Sequence, residues 1–168
     1  MMNLLINLYK IKNDFLKKEN IFFLIFAFII FFFDRITKSK ILNTYSDNTI
    51  FINDYINIDL IWNIGIGFGF LSTNSILFYN LISILIGIVI LSLTYFLIIS
   101  EKKEKLIYAI IIGGALGNFY DRLIYKAVPD FIDLHYDNFH WFTFNVADIF
   151  ITFGVLAMIF KEFLVKNK

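Results

Sequence analysis

Four long apolar runs, separated by polar segments, organise the 168 residues of the chain. The first lies near 21–41, opening with IFFLIFAFIIFFF and continuing through DRITKSKIL; the others lie near 76–99, 106–125 and 146–165. Apolar runs of about 20 residues are the length a helix needs to cross a bilayer. The last three reach that length on hydropathy. The first has 13 uninterrupted apolar residues, so a full crossing carries Asp34 inside it or at its edge. The pattern predicts an all-α membrane protein, a four-transmembrane-helix bundle over residues 21–168, preceded by an N-terminal cytoplasmic segment over 1–20.

Between the runs the period changes. YINIDLIWN (55–63) alternates Ile56, Ile58 and Leu60 with Asn57 and Asp59, the signature of a half-buried strand. In NIGIGFGF (63–70) glycine recurs at every second position, which lets a backbone bend sharply or approach a neighbour closely. FGFLSTNSILF (68–78) reads as an amphipathic turn or short helix along the interface. Residues 126–145 read as a loop in which Pro129, the one proline, ends any helix and stiffens the residue before Asp130. The bundle is therefore expected to carry a small β-containing outer loop region and a short interfacial helix.

Composition agrees with a membrane protein. The chain is 59% hydrophobic with mean hydropathy +0.73, more apolar than an ordinary soluble domain. A net charge of +1 with scattered lysines gives no basic patch, so no nucleic-acid partner is expected. The absence of cysteine excludes disulfides, thiolate metal sites and a cysteine nucleophile. No small-residue cleavage site follows the first run, where Asp34 and Arg35 stand instead, which disfavours a cleaved signal peptide.

Lysine placement sets the orientation. Lys10, Lys12, Lys17 and Lys18 precede the first span, Lys102, Lys103 and Lys105 lie between the second and third, and Lys161, Lys166 and Lys168 end the chain. The 42–75 segment has no lysine or arginine, and 126–145 has only Lys126. Both termini are thus expected in the cytoplasm, with Asp34, Asp121, Asp130 and Asp148 gathered at the outer face.

A charge at membrane depth costs about 3 kcal/mol or more, so each one calls for a reason. Asp34 and Lys38, four apart, share a helix face and read as a structural ion pair, with Lys38 snorkelling to the headgroups. Gly113 and Gly117 form a small-xxx-small pair suited to helix packing. Asn118, Asp121 and Arg122 share one face. Spacing leaves two readings of Arg122 open: a partner for Asp121, or a donor to a substrate carbonyl. Asn145 and Asp148 also share a face, and Asn145 fits a helix cap with the Asp148 carboxylate at the helix's positive end. His135 and His140 read as interfacial polar residues rather than metal ligands, since no HExxH-type set is present, and Asp133 and Asp137 read as solvated loop charges.

GGALGNFYDR (113–122), VPDF (128–131) and FNVAD (144–148) resemble three boxes of the lipoprotein signal peptidase (signal peptidase II) family. DRITK (34–38) and NIGIGFG (63–69) resemble its two upstream boxes, in the family's order from about 21 to 165. The resemblance implies an intramembrane aspartyl endopeptidase of the bacterial inner membrane. Such an enzyme removes signal peptides from diacylglyceryl-modified prolipoproteins, before the lipidated cysteine. It implies Asp130 and Asp148 as the catalytic pair, and Asn118, Arg122, Asn145, Asn63 and Gly65 on the substrate side. Asp34, Lys38 and Asp121 would be structural support. Lipid-modified prolipoproteins and membrane lipid are the implied partners, a monomer is expected, and no metal or cofactor is called for. Pro129 departs from the family's usual aliphatic residue, Trp62 from a common arginine and Ile66 from a usual alanine.

Two carboxyls facing each other in a low-dielectric site share one proton. The ionised partner can then activate a water, and the protonated one can polarise the scissile carbonyl. Two other classes compete. A small proton-coupled transporter would spread acids along a path through the bilayer, but the second span has none. A non-catalytic scaffold would tolerate the loss of both Asp130 and Asp148. A serine/lysine peptidase is disfavoured, since no serine sits beside an intramembrane lysine in a suitable context.

Overall fold

The computed structural model describes residues 13–45, 49–65 and 76–166. Four helices occupy the four apolar runs: α1 (Lys18–Thr44), α2 (Ile76–Ile99), α3 (Lys102–Tyr125) and α4 (Val146–Lys166). Strands β1 (Ile50–Asn53) and β2 (Ile56–Asn63) follow α1, and β3 (Val128–Tyr136) and β4 (Phe139–Phe144) lie between α3 and α4. The expected interfacial helix and the glycines after Gly65 fall mostly within 66–75, outside the described residues.

At 1.5 Å per residue, helices of 21 to 27 residues run about 32–40 Å. Among the described residues α1 and α2 combine that length with enough apolarity to cross a membrane. Helices α3 and α4 also have the length and carry charged side chains within it, Asp121 and Arg122 on α3 and Asp148, Lys161 and Glu162 on α4, as α1 carries Asp34, Arg35 and Lys38. All four hold large apolar side chains outward, among them Phe22 and Phe32 on α1, Leu91 on α2, Ile124 on α3 and Phe160 on α4. An apolar girdle of that extent exceeds what a water-facing monomer leaves open.

Helix α3 is the central rod, packing against α1, α2 and α4. Its glycines make this possible. A Cβ at Gly113 would come within 2.7 Å of the Ala27 carbonyl oxygen of α1, and one at Gly114 within 2.5 Å of the Ala147 carbonyl oxygen of α4. Both obstacles are backbone and cannot swing aside, and Gly117 in turn lies against the Asp34 carboxylate of α1, so the Gly113–Gly117 pair packs α3 on α1 as the sequence suggested. Gly113→Ala is expected to destabilise the bundle by about 1–3 kcal/mol, the usual cost of overpacking, read as a lower midpoint of unfolding in detergent.

The strands form one antiparallel sheet in the order β1-β2-β3-β4 at one end of the bundle. Strand β2 confirms the alternating segment, while β3 and β4 replace the expected 126–145 loop. Pro129 is tolerated because β4 pairs with β3 only from Ile132 onward, while Pro129 opposes Trp62 of β2 alone. Its missing N–H therefore faces no strand on the other side. Lys126, in the left-handed region at φ 56°, ends α3, and two residues later β3 begins. The hairpin is thus spliced directly between α3 and α4, with Asn145 as the single link from β4 to α4.

At the opposite end, buried Lys105 donates to Asn20 Oδ1 at 2.6 Å and to the carbonyls of Leu97 and Ile98 at 2.9 and 3.1 Å. It satisfies the last turn of α2, where unpaired carbonyls and the helix dipole favour a cation.

Candidate active site

The site lies where the sheet meets the bundle. Asp130 reaches it from β3 and is 2% exposed. Both of its oxygens are held: Oδ1 accepts from Asn145 Nδ2 at 2.5 Å, and Oδ2 from Asn63 Nδ2 at 2.8 Å. Asp148, in the first turn of α4, is held by a reciprocal cap. Its Oδ2 accepts from the Asn145 backbone N–H at 3.1 Å, while Asn145 Oδ1 accepts from the Asp148 N–H at 3.1 Å. This is a capping-box arrangement built from Asn and Asp. Asp148 Oδ1 accepts from Asn118 Nδ2 of α3 at 2.7 Å. Asn145 therefore touches both carboxylates.

Behind Asn118 stands a buried ionic cluster. Lys38, fully buried, donates to Asn118 Oδ1 and to Asp121 Oδ2, both at 2.8 Å, and lies 3.0 Å from Asp34 Oδ2. Arg35 grips Asp121 with two bonds, at 2.5 and 2.8 Å, and reaches Asp34 at 3.1 Å. Asp34 Oδ1 accepts the backbone N–H of Ala147 at 3.0 Å, tying α1 to the start of α4. Two acids and two cations thus balance one another inside the bundle, and the one Lys38 bond to Asn118 Oδ1 fixes which way that amide faces. The snorkelling expected of Lys38 does not occur, because Asp121 and Asn118 on α3 offer it partners inside the bundle.

Arg122 does not pair with Asp121, whose oxygens face Arg35 and Lys38. It donates to the Gly65 carbonyl and lies over the Tyr79 ring of α2, 5.6 Å from its centroid. Gly65 N–H donates to Asn63 Oδ1 at 2.8 Å, so Asn63 and Gly65 link β2 to both Asp130 and Arg122. Arg122 Nε and Nη1 are buried without a partner among the described residues. A cavity of about 490 Å³ opens between α2, α3 and α4. Its polar end presents Asn63, Asn118, Arg122, Asp130 and Asp148, and its walls are aliphatic, with Ile82, Ile86, Val89, Ile111, Ile151 and Val155.

Burial holds the Asp130 carboxyl up at about 7, and the negative charge of nearby Asp148 pushes the same way; the Asn63 and Asn145 hydrogen bonds oppose them.

The family profile described as signal peptidase (SPase) II matches residues 26–164. The chain belongs to the signal peptidase II family. That makes it a member of a protease family. It is 47% identical over 148 residues to the lipoprotein signal peptidase of Pelagibacter ubique, covering 86% of this chain and 89% of that one. It is 39% identical over 152 residues to that of Anaplasma phagocytophilum, covering 86% and 94%. A solved bacterial membrane enzyme, determined by the in meso method, superposes with a TM-score of 0.70 at 31% identity, covering 86% of this chain and 88% of that one.

All ten candidate site residues from the sequence converge on this one region of the chain. Asp130, Asp148, Asn118, Arg122 and Asn63 line the cavity, Asn145 and Gly65 hold them, and Asp34, Lys38 and Asp121 form the cluster behind. Arg35 was not singled out. Its signal was present, a second cation within four residues of Lys38 at membrane depth. Trp62 packs on Tyr125, ring centroids 5.6 Å apart, while Ile66 lies outside the described residues. Asp137 is exposed in the β3–β4 turn, as a solvated charge should be. Asp133 is corrected: it is buried on β3, not a solvated loop charge, and His135 and His140 are cross-strand neighbours rather than loop residues.

Proposed function

We propose that this chain is an intramembrane aspartyl endopeptidase that cleaves diacylglyceryl-modified bacterial prolipoproteins on the N-terminal side of the lipidated cysteine. Asp130 and Asp148 form the catalytic pair. The observation that carries the reading is their convergence: two carboxylates from different elements, bridged by Asn145, at the polar end of an aliphatic cavity. The four helices all cross the inner membrane, with both termini in the cytoplasm and residues 21–168 as the peptidase domain. The sheet then lies at the outer surface and the pair at the membrane boundary, where a signal helix meets its lipid anchor. The enzyme works as a monomer.

In the mechanism the pair holds one proton. The ionised carboxylate takes a proton from a water molecule, whose oxygen attacks the scissile carbonyl. The protonated carboxyl donates to the developing oxyanion and then supplies a proton to the leaving amine. Asn118, Asn63 and Asn145 fix the four carboxylate oxygens so that little reorganisation accompanies the proton movements. Arg122 offers the N–H donors of its two unpartnered nitrogens, Nε and Nη1, to substrate backbone carbonyls. Its charge also balances the single negative charge of the pair.

The test is cleavage of a diacylglyceryl-modified prolipoprotein by the purified enzyme. The product is expected to begin at the lipidated cysteine by mass spectrometry, with the unmodified precursor uncut. Proton uptake into vesicles without cleavage would instead favour a transporter.

The pH profile follows from Asp130. One proton must remain on the pair, so kcat/KM is expected to fall as pH rises through about 7. The Asn63 hydrogen bond stabilises the ionised form. Asn63→Ala is therefore expected to move the alkaline limb to higher pH, measured as kcat/KM against pH. An unmoved limb would mean that another group sets it.

A further inference from the structure

The outward end of the sheet carries a second cluster of chemically active side chains that the proposed peptide cleavage does not use. Asp133 and His135 lie two residues apart on β3, hence on one face of the sheet, and His140 of β4 stands opposite His135 in the register. Asp133 Oδ2 lies 2.7 Å from His140 Nδ1 and 3.6 Å from His135 Nδ1. The two imidazoles stack with centroids 5.3 Å apart. One donor atom from each of the three residues falls within 4.8 Å of the others.

Two further facts point to a missing occupant. His135 is 6% exposed, yet its Nδ1, directed at Asp133, has no hydrogen-bond partner among the described residues. Asn57 of β2 stands opposite Asp133 in the β2–β3 register, and its Oδ1 is also buried and unpartnered. A buried imidazole nitrogen and a buried amide oxygen left unsatisfied each cost free energy, about 1–3 kcal/mol. A cation held between Asp133 and His140 would give the His135 nitrogen the partner it lacks.

The geometry points to a divalent transition-metal site of the zinc class formed by Asp133, His135 and His140, with water completing it. Two imidazoles and one carboxylate suit Zn2+, whereas Mg2+ and Ca2+ favour all-oxygen sets. Metal–nitrogen and metal–oxygen bonds of about 2.0–2.2 Å in a tetrahedron place ligand atoms about 3.4 Å apart. The present separations bracket that value. The adjustment is small, and His140 can make it because its side chain is 57% exposed on the edge strand. The bound ion would clamp β3 to β4 three residues from Asp130 without entering the cleavage chemistry.

Calorimetric titration of the tag-free full chain in detergent with ZnCl2, after chelator treatment, tests this. One ion per chain is expected, with zinc-edge X-ray absorption showing two imidazole nitrogens among nitrogen and oxygen ligands. His140→Ala, at an exposed position that leaves the fold intact, is expected to weaken binding at least tenfold, and His135→Gln similarly. Circular dichroism of both variants separates ligand loss from misfolding. No saturable uptake by the parent chain, or His140→Ala binding zinc as the parent does, would overturn the site. The readout is binding alone, so its failure is independent of whether the chain cleaves prolipoproteins.

Discussion

Asp130→Asn and Asp148→Asn are each expected to lower kcat for prolipoprotein cleavage by at least about 10³-fold, with the protein still folded and inserted. An amide can neither take a proton from water nor deliver one to the leaving amine, so either substitution removes a step the other aspartate cannot cover. The two losses should not add, since the pair works as a unit and the double variant should be little worse than either single one. Asp137→Asn is the matched control. It sits in the exposed β3–β4 turn at φ 51°, a left-handed conformation that Asn tolerates well, and should cleave like the parent. The measurement is single-turnover cleavage of a diacylglyceryl-modified precursor, with insertion checked by size-exclusion in detergent. Full activity in either aspartate variant would remove the aspartyl mechanism and leave the convergence of carboxylates as structural.

Helix positions and the small-residue face of α3 were legible because a long apolar run has one stable outcome in lipid, a helix with its backbone bonds closed internally. The hairpin β3–β4 was not. Residues 128–136 are buried on both faces for most of their length, so apolar and polar positions do not alternate cleanly. The remaining signal was the turn: Asp137 and Asn138 between Tyr136 and Phe139 make a two-residue connection of the kind hairpins prefer. Treating the segment as a loop carried a second error with it, since a carboxylate in a loop defaults to water, and Asp133 in a central strand does not.

The site residues were legible through their resemblance to family boxes, but their connections were not. Nothing in the spacing of Asn145 indicates that its side chain reaches Asp130 while its backbone holds Asp148. That double role exists because β4 ends and α4 begins at the same residue. Spacing also left Arg122 undecided between Asp121 and a substrate. The decision came from α1, whose Arg35 and Lys38 occupy both Asp121 oxygens and leave Arg122 facing the cavity.

Lys38→Met should destabilise the bundle by about 3–5 kcal/mol, the usual consequence of removing one partner from a buried ionic cluster. Lys38 is 0% exposed, so no water can replace its ammonium group between Asp34 and Asp121. Arg35 still neutralises one carboxylate; the other is left charged in a low-dielectric interior or must take up a proton. Lys38→Arg is not expected to rescue, since the planar guanidinium cannot present three donors around a point to Asp34, Asn118 and Asp121. Removing an acid together with the cation, as in Lys38→Met with Asp121→Asn, should recover part of the stability, and the double-mutant cycle gives the coupling energy. Activity should not return with it. Asn118 loses the donor that fixes its oxygen, so its amide is free to turn away from Asp148 and the pair loses one of its anchors. Unfolding midpoints in detergent and cleavage rates of the parent, the two single variants and the double variant would separate the two effects. Equal stability of Lys38→Met and the parent would mean that the cluster is solvated and does not hold α1, α3 and α4 together.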